Sequence, residues 1–277
     1  MLFYFTATGN SLDAARTIAD TTGDRMIDLG LAYKMERFEF HVEQGEDLGF
    51  VFPVYGWSAP GIVDDFLRKA RFVAGNGKSF VPGYSYCVIT CGAFVGKTAD
   101  FFATMLEKYQ SIRLDASYSV KCVGNCVYLY DMPSEEKQES VQKAAHLHTK
   151  EIAYLIDGKR MVHQETRNPF GSLMSMVTCR EEKPRSVESF HVDKETCTGC
   201  GLCAQICPTS TIAMEDGYPT WSGGNCTQCL ACLHRCPSAA SQYGTKTAKR
   251  GRYTNPALAQ KQMIDGAGID ASVPDPQ

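Results

Sequence analysis

One cysteine spacing occurs twice, and it constrains this chain more than any other feature. The run Cys197-x2-Cys200-x2-Cys203-x3-Cys207-Pro is repeated 29 residues later as Cys226-x2-Cys229-x2-Cys232-x3-Cys236-Pro. Three cysteines at two-residue gaps can wrap one face of a small cubic cluster, and the fourth, on a short turn before proline, points towards the other cluster. We therefore predict two [4Fe–4S] clusters. We assign Cys197, Cys200, Cys203 and Cys236 to the first, and Cys226, Cys229, Cys232 and Cys207 to the second.

The repeat resembles that of the bacterial two-cluster ferredoxins over about residues 190–245. Structural zinc, which also uses C-x2-C pairs, is the alternative. A third cysteine at the same pitch and a terminal Cys-Pro do not fit paired zinc knuckles. Because the segment has few apolar residues, we expect the clusters to form its core and the segment to unfold without them.

The total of 13 cysteines is odd. With no basic region or long apolar run at the start of the chain, this argues against an exported disulfide framework. No apolar stretch is long enough to span a membrane, so we expect a cytoplasmic protein. A net charge of −3 argues against general nucleic-acid binding. The roles of five further cysteines stay open, with buried free thiols the usual interpretation. They are Cys87, Cys91, Cys122, Cys126 and Cys179.

The first part of the chain alternates apolar strands with helices. Predicted strands at residues 2–5, 48–54, 84–91 and 116–123 are nearly continuous apolar runs. This pattern predicts an α/β fold with a doubly wound parallel sheet, in which ligands bind beyond the carboxyl ends of the strands. The loops at that edge are residues 6–11, 55–59, 92–96 and 124–132.

The first of these loops has the pattern of a phosphate site. It reads Thr6-x-Thr8-Gly9-Asn10-Ser11 between a strand and a helix. Free backbone N–H groups and the positive end of the helix can hold a phosphate there without Lys or Arg. The hydroxyl and amide side chains add short-range donors. The loop lacks both the G-x-G-x-x-G and the G-K-[ST] patterns.

These residues match the T-x-T-G-N-[ST] loop of flavodoxins, and residues 1–157 resemble that family in their order of strands and helices. The resemblance implies bound FMN. It also implies that an aromatic residue of the second loop, Tyr55-Gly56-Trp57, stacks on the flavin ring, with Trp57 the first choice and Tyr55 the second. The alternative is that these aromatics simply cover the sheet edge.

The third and fourth loops complete the predicted flavin site. The third reads Thr90-Cys91-Gly92-Ala93-Phe94, and the resemblance implies that its backbone cradles the ring. Gly92 permits a close approach. Phe94 is either ring-facing or part of the core. In the fourth loop, Asn125 and Tyr128 could close over the flavin.

The chain thus divides into four predicted segments. They are a flavodoxin-like FMN-binding domain at 1–158, a connector at 159–189, a smaller α+β ferredoxin-like domain with two clusters at 190–245, and a basic C-terminal tail at 246–277. The tail either docks an acidic redox partner or is solvated.

With a flavodoxin-like loop and a ferredoxin-like cysteine repeat in one sequence, the chain resembles a family of flavodoxin–ferredoxin fusion proteins of anaerobic microbes. The resemblance implies an electron-transfer oxidoreductase that passes electrons between two [4Fe–4S] clusters and FMN, and on to a redox partner. Two alternatives remain: a flavin-dependent reductase of a small organic acceptor with the clusters as electron inlet, and a non-redox module with structural clusters. The electron donor, the acceptor and the oligomeric state stay open.

Overall fold

The computed structural model describes residues 1–75, 79–166, 172–173, 186–222 and 224–259. Its first part is built around a six-stranded sheet in the order β2-β1-β4-β6-β7-β8, with every neighbouring pair parallel. A separate parallel pair is formed by β3 and β5. The strands are β1 (Leu2–Tyr4), β2 (Met26–Asp28), β3 (Glu39–Val42), β4 (Leu48–Pro53), β5 (Arg71–Ala74), β6 (Ser85–Cys91), β7 (Ala116–Lys121) and β8 (His163–Gln164).

Helices cover both faces of this sheet. They are α1 (Asn10–Thr22), α2 (Leu29–Lys34), α3 (Gly61–Lys69), α4 (Thr98–Gln110) and α5 (Glu135–Asp157). One core packs Phe66 of α3 and Phe102 of α4 against one face, and the other packs Leu12 of α1 and Ile152 of α5 against the opposite face. The strand order reverses between β1 and β4, as in doubly wound flavodoxin-like sheets. The predicted α/β fold class is therefore confirmed.

The second part is a small α+β unit. It contains β9 (Phe190–Val192), α6 (Leu202–Gln205), β10 (Ile212–Glu215), β11 (Tyr218–Trp221), α7 (Ala231–His234) and β12 (Ser241–Tyr243). The pairs β9–β12 and β10–β11 are antiparallel. Its own apolar core is small and is centred on Phe190, Ile212 and Leu233.

The residues after β12 differ from the predicted tail. A short 3-10 helix at Thr247–Lys249 leads into a segment that returns to the first part of the chain, where Tyr253, Asn255 and Leu258 are buried. Arg250 donates a 2.6 Å hydrogen bond to the carbonyl oxygen of Val127. Much of the predicted basic tail therefore serves internal contacts; residues 260–277 lie outside the described part.

The loop at 124–132, which matched no flavodoxin feature, contacts the second part. Val127, Tyr128 and Met132 pack with the core of that unit. On the other side, the Lys34 ammonium of α2 donates a 2.5 Å hydrogen bond to the carbonyl oxygen of Gln205 in α6. Among the described helices, none combines the length and the apolar character needed to cross a lipid bilayer.

Candidate functional site

A cavity, here called the strand-end cavity, lies at the carboxyl ends of β1, β4, β6 and β7. Among the residues predicted to bind flavin, those in its lining are Thr6, Thr8, Asn10, Ser11, Tyr55, Thr90, Cys91, Gly92 and Asn125. Those predicted but not in its lining are Gly9, Gly56, Trp57, Ala93 and Phe94.

The side chains of the first loop form hydrogen bonds with other groups of the protein. The Gly9 N–H donates a 3.0 Å hydrogen bond to the Thr6 hydroxyl, and Ser11 and Thr90 share one of 2.9 Å between their hydroxyls. The Asn10 amide donates to the carbonyl oxygen of Val123. These bonds fix the loop, so the backbone N–H groups at the start of α1 are the groups suited to an anion. Among the described residues, no Lys or Arg lines the cavity, which fits the neutral type of phosphate site that the sequence predicts.

The second loop is a tight turn. Tyr55 and Ser58 exchange both backbone hydrogen bonds, at 2.9 and 3.1 Å. The two central residues, Gly56 and Trp57, have φ of 59° and 62°, as in a type I′ turn. Positive φ is uncommon for a bulky residue and strained. This turn leaves Tyr55 in the cavity lining, whereas Trp57 lies at the tip of the turn.

The third and fourth loops touch at two glycines. A Cβ at Gly92 would lie 3.2 Å from the Gly124 Cα, and one at Gly124 would clash with the Tyr130 hydroxyl. Tyr130 therefore covers this corner of the cavity, and it was missed because nothing in the sequence separates it from Tyr128. The ring of Tyr128 packs instead against Tyr243 of the second part, with centroids 5.3 Å apart.

Seven of the eight repeated cysteines are placed in two spatial sets by their mutual interactions. In the first cysteine group, Cys203 interacts electrostatically with Cys200 and Cys236, and Cys197 begins the same loop. In the second, Cys229 and Cys232 interact with each other and both with Cys207 and Cys226. In each set, the cysteine before proline comes from the opposite repeat. Within the described ranges, no three Cys, His, Asp or Glu side chains surround the position of a single metal ion.

The second cysteine group borders its own cavity, here called the cysteine cavity. All four thiols line it, together with Trp221 and Thr227. The Thr227 hydroxyl is buried and has no hydrogen-bond partner among the described residues. Burial raises the pKa of the Cys232 thiol well above its usual range, and the nearby Trp221 indole opposes this only in part. A sulfur-lined space with unused donors fits an iron–sulfur cluster.

Backbone amides point at several of these sulfurs. The N–H groups of Thr211 and Ala240 lie 3.3 Å from the sulfurs of Cys207 and Cys236. Burial raises the pKa of Cys229 to about 12. Burial also raises the pKa of Cys236, but the amide donors around it outweigh this and lower the pKa overall. Buried thiolates need such donors and a cationic group to stabilise their charge.

The second cysteine group contacts the first part of the chain. Cys229 packs against the same apolar core of the first part as Tyr55, which lines the strand-end cavity. Pro208, next to Cys207, approaches Gly30 of α2, where an added Cβ would meet it at 3.3 Å. The second cysteine group therefore faces the first part of the chain. In the first group, by contrast, Cys200 is exposed.

The two thiol sets on a small α+β unit define an iron–sulfur protein of the ferredoxin type. Residues 196–241 match the family model described as a 4Fe-4S dicluster domain. Through this domain, the chain belongs to the 4Fe-4S dicluster ferredoxins.

Two relatives show the extent of the match. Ferredoxin-1 of Rhodobacter capsulatus is 42% identical over 38 residues, which are 14% of this chain and 58% of that protein. An uncharacterized ferredoxin of Methanocaldococcus jannaschii is 38% identical over 53 residues, which are 18% of this chain and 69% of that protein. The chain thus spans just over half the length of the Rhodobacter ferredoxin.

Two solved structures are also similar. An azoreductase from Bacillus anthracis has 10% identity and a TM-score of 0.33, covering 55% of this chain and 97% of that chain. A flavone reductase has 11% identity and a TM-score of 0.30, covering 99% of both chains. The strand order of the six-stranded sheet itself defines the doubly wound fold.

Proposed function

We propose that this protein is an electron-transfer oxidoreductase. Its ferredoxin domain holds two [4Fe–4S] clusters through the two cysteine groups, and its flavodoxin-like part binds FMN in the strand-end cavity. Clusters pass electrons singly and a flavin takes up one or two, so the pair links one-electron to two-electron chemistry.

The position of Cys229 carries this proposal. Its thiol belongs to the cysteine cavity, while its side chain packs on the apolar core that also supports Tyr55. A ferredoxin domain with an unrelated role would have no reason to pack one of its thiols on the core that supports the lining of the strand-end cavity. Because both cavities belong to one chain, transfer between them is intramolecular and does not depend on an encounter.

The unequal exposure of the two cysteine groups supports a direction of electron transfer. The first group contains the exposed Cys200 beside the buried Cys203, whereas none of the four cysteines of the second group is exposed. An external redox partner therefore contacts the first cysteine group. The second cysteine group lies between the first group and the strand-end cavity.

The full-length protein, prepared without oxygen, tests the proposal. Iron, sulfide and flavin analysis should give about eight iron atoms and about one FMN per chain. Reduction of the clusters in a stopped-flow instrument should then be followed by bleaching of the flavin. A colourless protein that contains zinc and no flavin would refute the proposal. Sustained turnover with a small organic acceptor would identify a reductase rather than a carrier.

A further inference from the structure

His234 sits where the ferredoxin domain meets the strand-end cavity. It is the last residue of α7, two positions after Cys232 and two before Cys236. Its side chain is only 3% exposed. We propose that His234 is a positioning residue that holds the second cysteine group in register with the flavin site. This inference rests on the function proposed above.

Two hydrogen bonds fix the imidazole in one form. The backbone N–H of Tyr253 points at Nδ1 at 3.1 Å, and a backbone N–H can only donate. Nδ1 is therefore an acceptor, which places the ring proton on Nε2. Nε2 lies 2.8 Å from the carbonyl oxygen of Asn125, so it donates there. The ring thus has one donor, one acceptor and a partner for each.

Both partners of His234 continue to the predicted phosphate loop. The Asn125 amide donates a 3.3 Å hydrogen bond to the Thr8 hydroxyl, and the Tyr253 hydroxyl donates one of 2.6 Å to Asn10 Oδ1. His234 therefore joins two separate chains of hydrogen bonds that end on neighbouring residues of one loop. Because these chains run from α7 to the flavin site, they set the separation between the second cysteine group and the strand-end cavity.

This arrangement gives His234 a role that simple core filling would not. An apolar ring of similar size would fill the same space but would leave the buried Tyr253 N–H without an acceptor, and the Asn125 carbonyl would keep only the Val127 N–H as a donor. Electron transfer falls steeply with distance, so a small shift of α7 relative to the loop slows it. Loss of such supporting hydrogen bonds around metal ligands typically costs about 10-fold or more in activity.

Three variants of the full-length holoprotein separate the two bonds. His234→Gln keeps a donor near the Nε2 position, His234→Asn keeps an acceptor near the Nδ1 position, and His234→Phe removes both. His191→Gln, at an exposed site on β9 of the same domain, is the matched control. The rate of flavin reduction by the pre-reduced clusters should fall about 10-fold in His234→Phe, should recover in part in His234→Gln, and should be unchanged in the control.

A second measurement needs no bound flavin. Hydrogen–deuterium exchange of the amides of residues 123–127 should be faster in His234→Phe and His234→Asn than in His234→Gln and the control. If His234→Phe does not fold, the other two variants test the inference. His234→Gln should then show faster flavin reduction and slower amide exchange than His234→Asn. Equal exchange and equal rates in the Gln and Asn variants would overturn the inference. Wild-type protein that lacks flavin or flavin reduction would refute the proposed function alone, because the exchange measurement still reports on His234.

Discussion

The backbone N–H of Asn255 donates a 2.6 Å hydrogen bond to the carbonyl oxygen of Thr8. This bond joins a residue beyond the ferredoxin domain to the loop that follows the first strand of the chain. The Asn255 side chain lies on the outer side of that loop, where it approaches Gly9. The C-terminal segment thus covers the predicted phosphate loop from outside, while the strand-end cavity opens on its inner side.

The Gly9→Ala substitution should be unusually damaging. Gly9 has a φ of 98°, and an added Cβ would lie 2.8 Å from the Asn255 Cβ. Left-handed backbone costs a residue other than glycine about 1–2 kcal/mol, and the contact with Asn255 adds to this. Denaturant unfolding should show a loss of unfolding free energy larger than that cost, together with weaker FMN binding.

Gly23→Ala is the control for that experiment, because Gly23 has a φ of 73° and open space around its Cβ position. Gly23→Ala therefore has the free-energy cost of left-handed backbone, but its added methyl group makes no close contact. Measured against Asn255→Gly alone, the Gly9→Ala substitution should cost less unfolding free energy than it does in the wild-type protein, because its nearest contact is gone. Equal losses for Gly9→Ala and Gly23→Ala would show that the C-terminal segment does not press on the loop.

Sequence patterns predicted the sheet where burial was complete and failed where it was not. Strands β4, β6 and β7 are buried along nearly their whole length, so their apolar runs are continuous. The strand β2 has three residues with half-buried ends, and both residues of β8 are exposed. Neither segment has a pattern that periodicity could detect.

The candidate site was predictable in outline because parallel strands bring their terminal loops together. Its details depend on geometry that residue types do not encode. The positive φ of Trp57 decides that Tyr55 lines the cavity. The return of the C-terminal segment depends on contacts between the two ends of the chain, which leave no local signal at Tyr253 or Asn255.

Replacement of Cys229 by serine should remove the second cluster. Cys229 lines the cysteine cavity and is partly buried against the first part of the chain. Iron analysis should give about half the wild-type content, and reduction of the remaining cluster should no longer lead to rapid flavin reduction. Cys122→Ser changes a buried thiol that lies outside both groups and should keep the full iron content. Unchanged iron in Cys229→Ser would disprove the ligand assignment.

The two aromatics of the second loop should differ in their effect on FMN. Tyr55 lines the strand-end cavity and also packs edge-on against Phe5, with ring centroids 6.4 Å apart. Because aromatic stacking contributes about 0.5–1.5 kcal/mol beyond burial, Tyr55→Leu should weaken FMN binding by that amount in fluorescence titrations. Trp57→Leu should have a smaller effect. The opposite order would mean that the turn rearranges to stack Trp57 on the flavin.

Arg252 should tune the potential of the first cluster. Its guanidinium donates hydrogen bonds to the carbonyl oxygens of Leu233 and Thr247, among others. Burial lowers the pKa of Arg252, and the negative charge at Cys236 raises it. A fixed positive charge beside a thiolate ligand stabilises the cluster with the added electron more than the cluster without it. Removing that charge should therefore make the cluster harder to reduce.

Arg252→Gln tests this effect in a redox titration followed by electron paramagnetic resonance. The potential of the first cluster should fall on the order of 60 mV, which corresponds to a tenfold change for a one-electron couple. The second cluster should shift less, and Arg252→Lys, which keeps the charge, should shift the first cluster less than Arg252→Gln. Lys249→Gln removes an exposed charge from the same stretch and should change neither potential, because water and salt screen it. A potential that rises in Arg252→Gln, or that falls equally in Lys249→Gln, would show that Arg252 supports the fold of the segment without acting on the cluster.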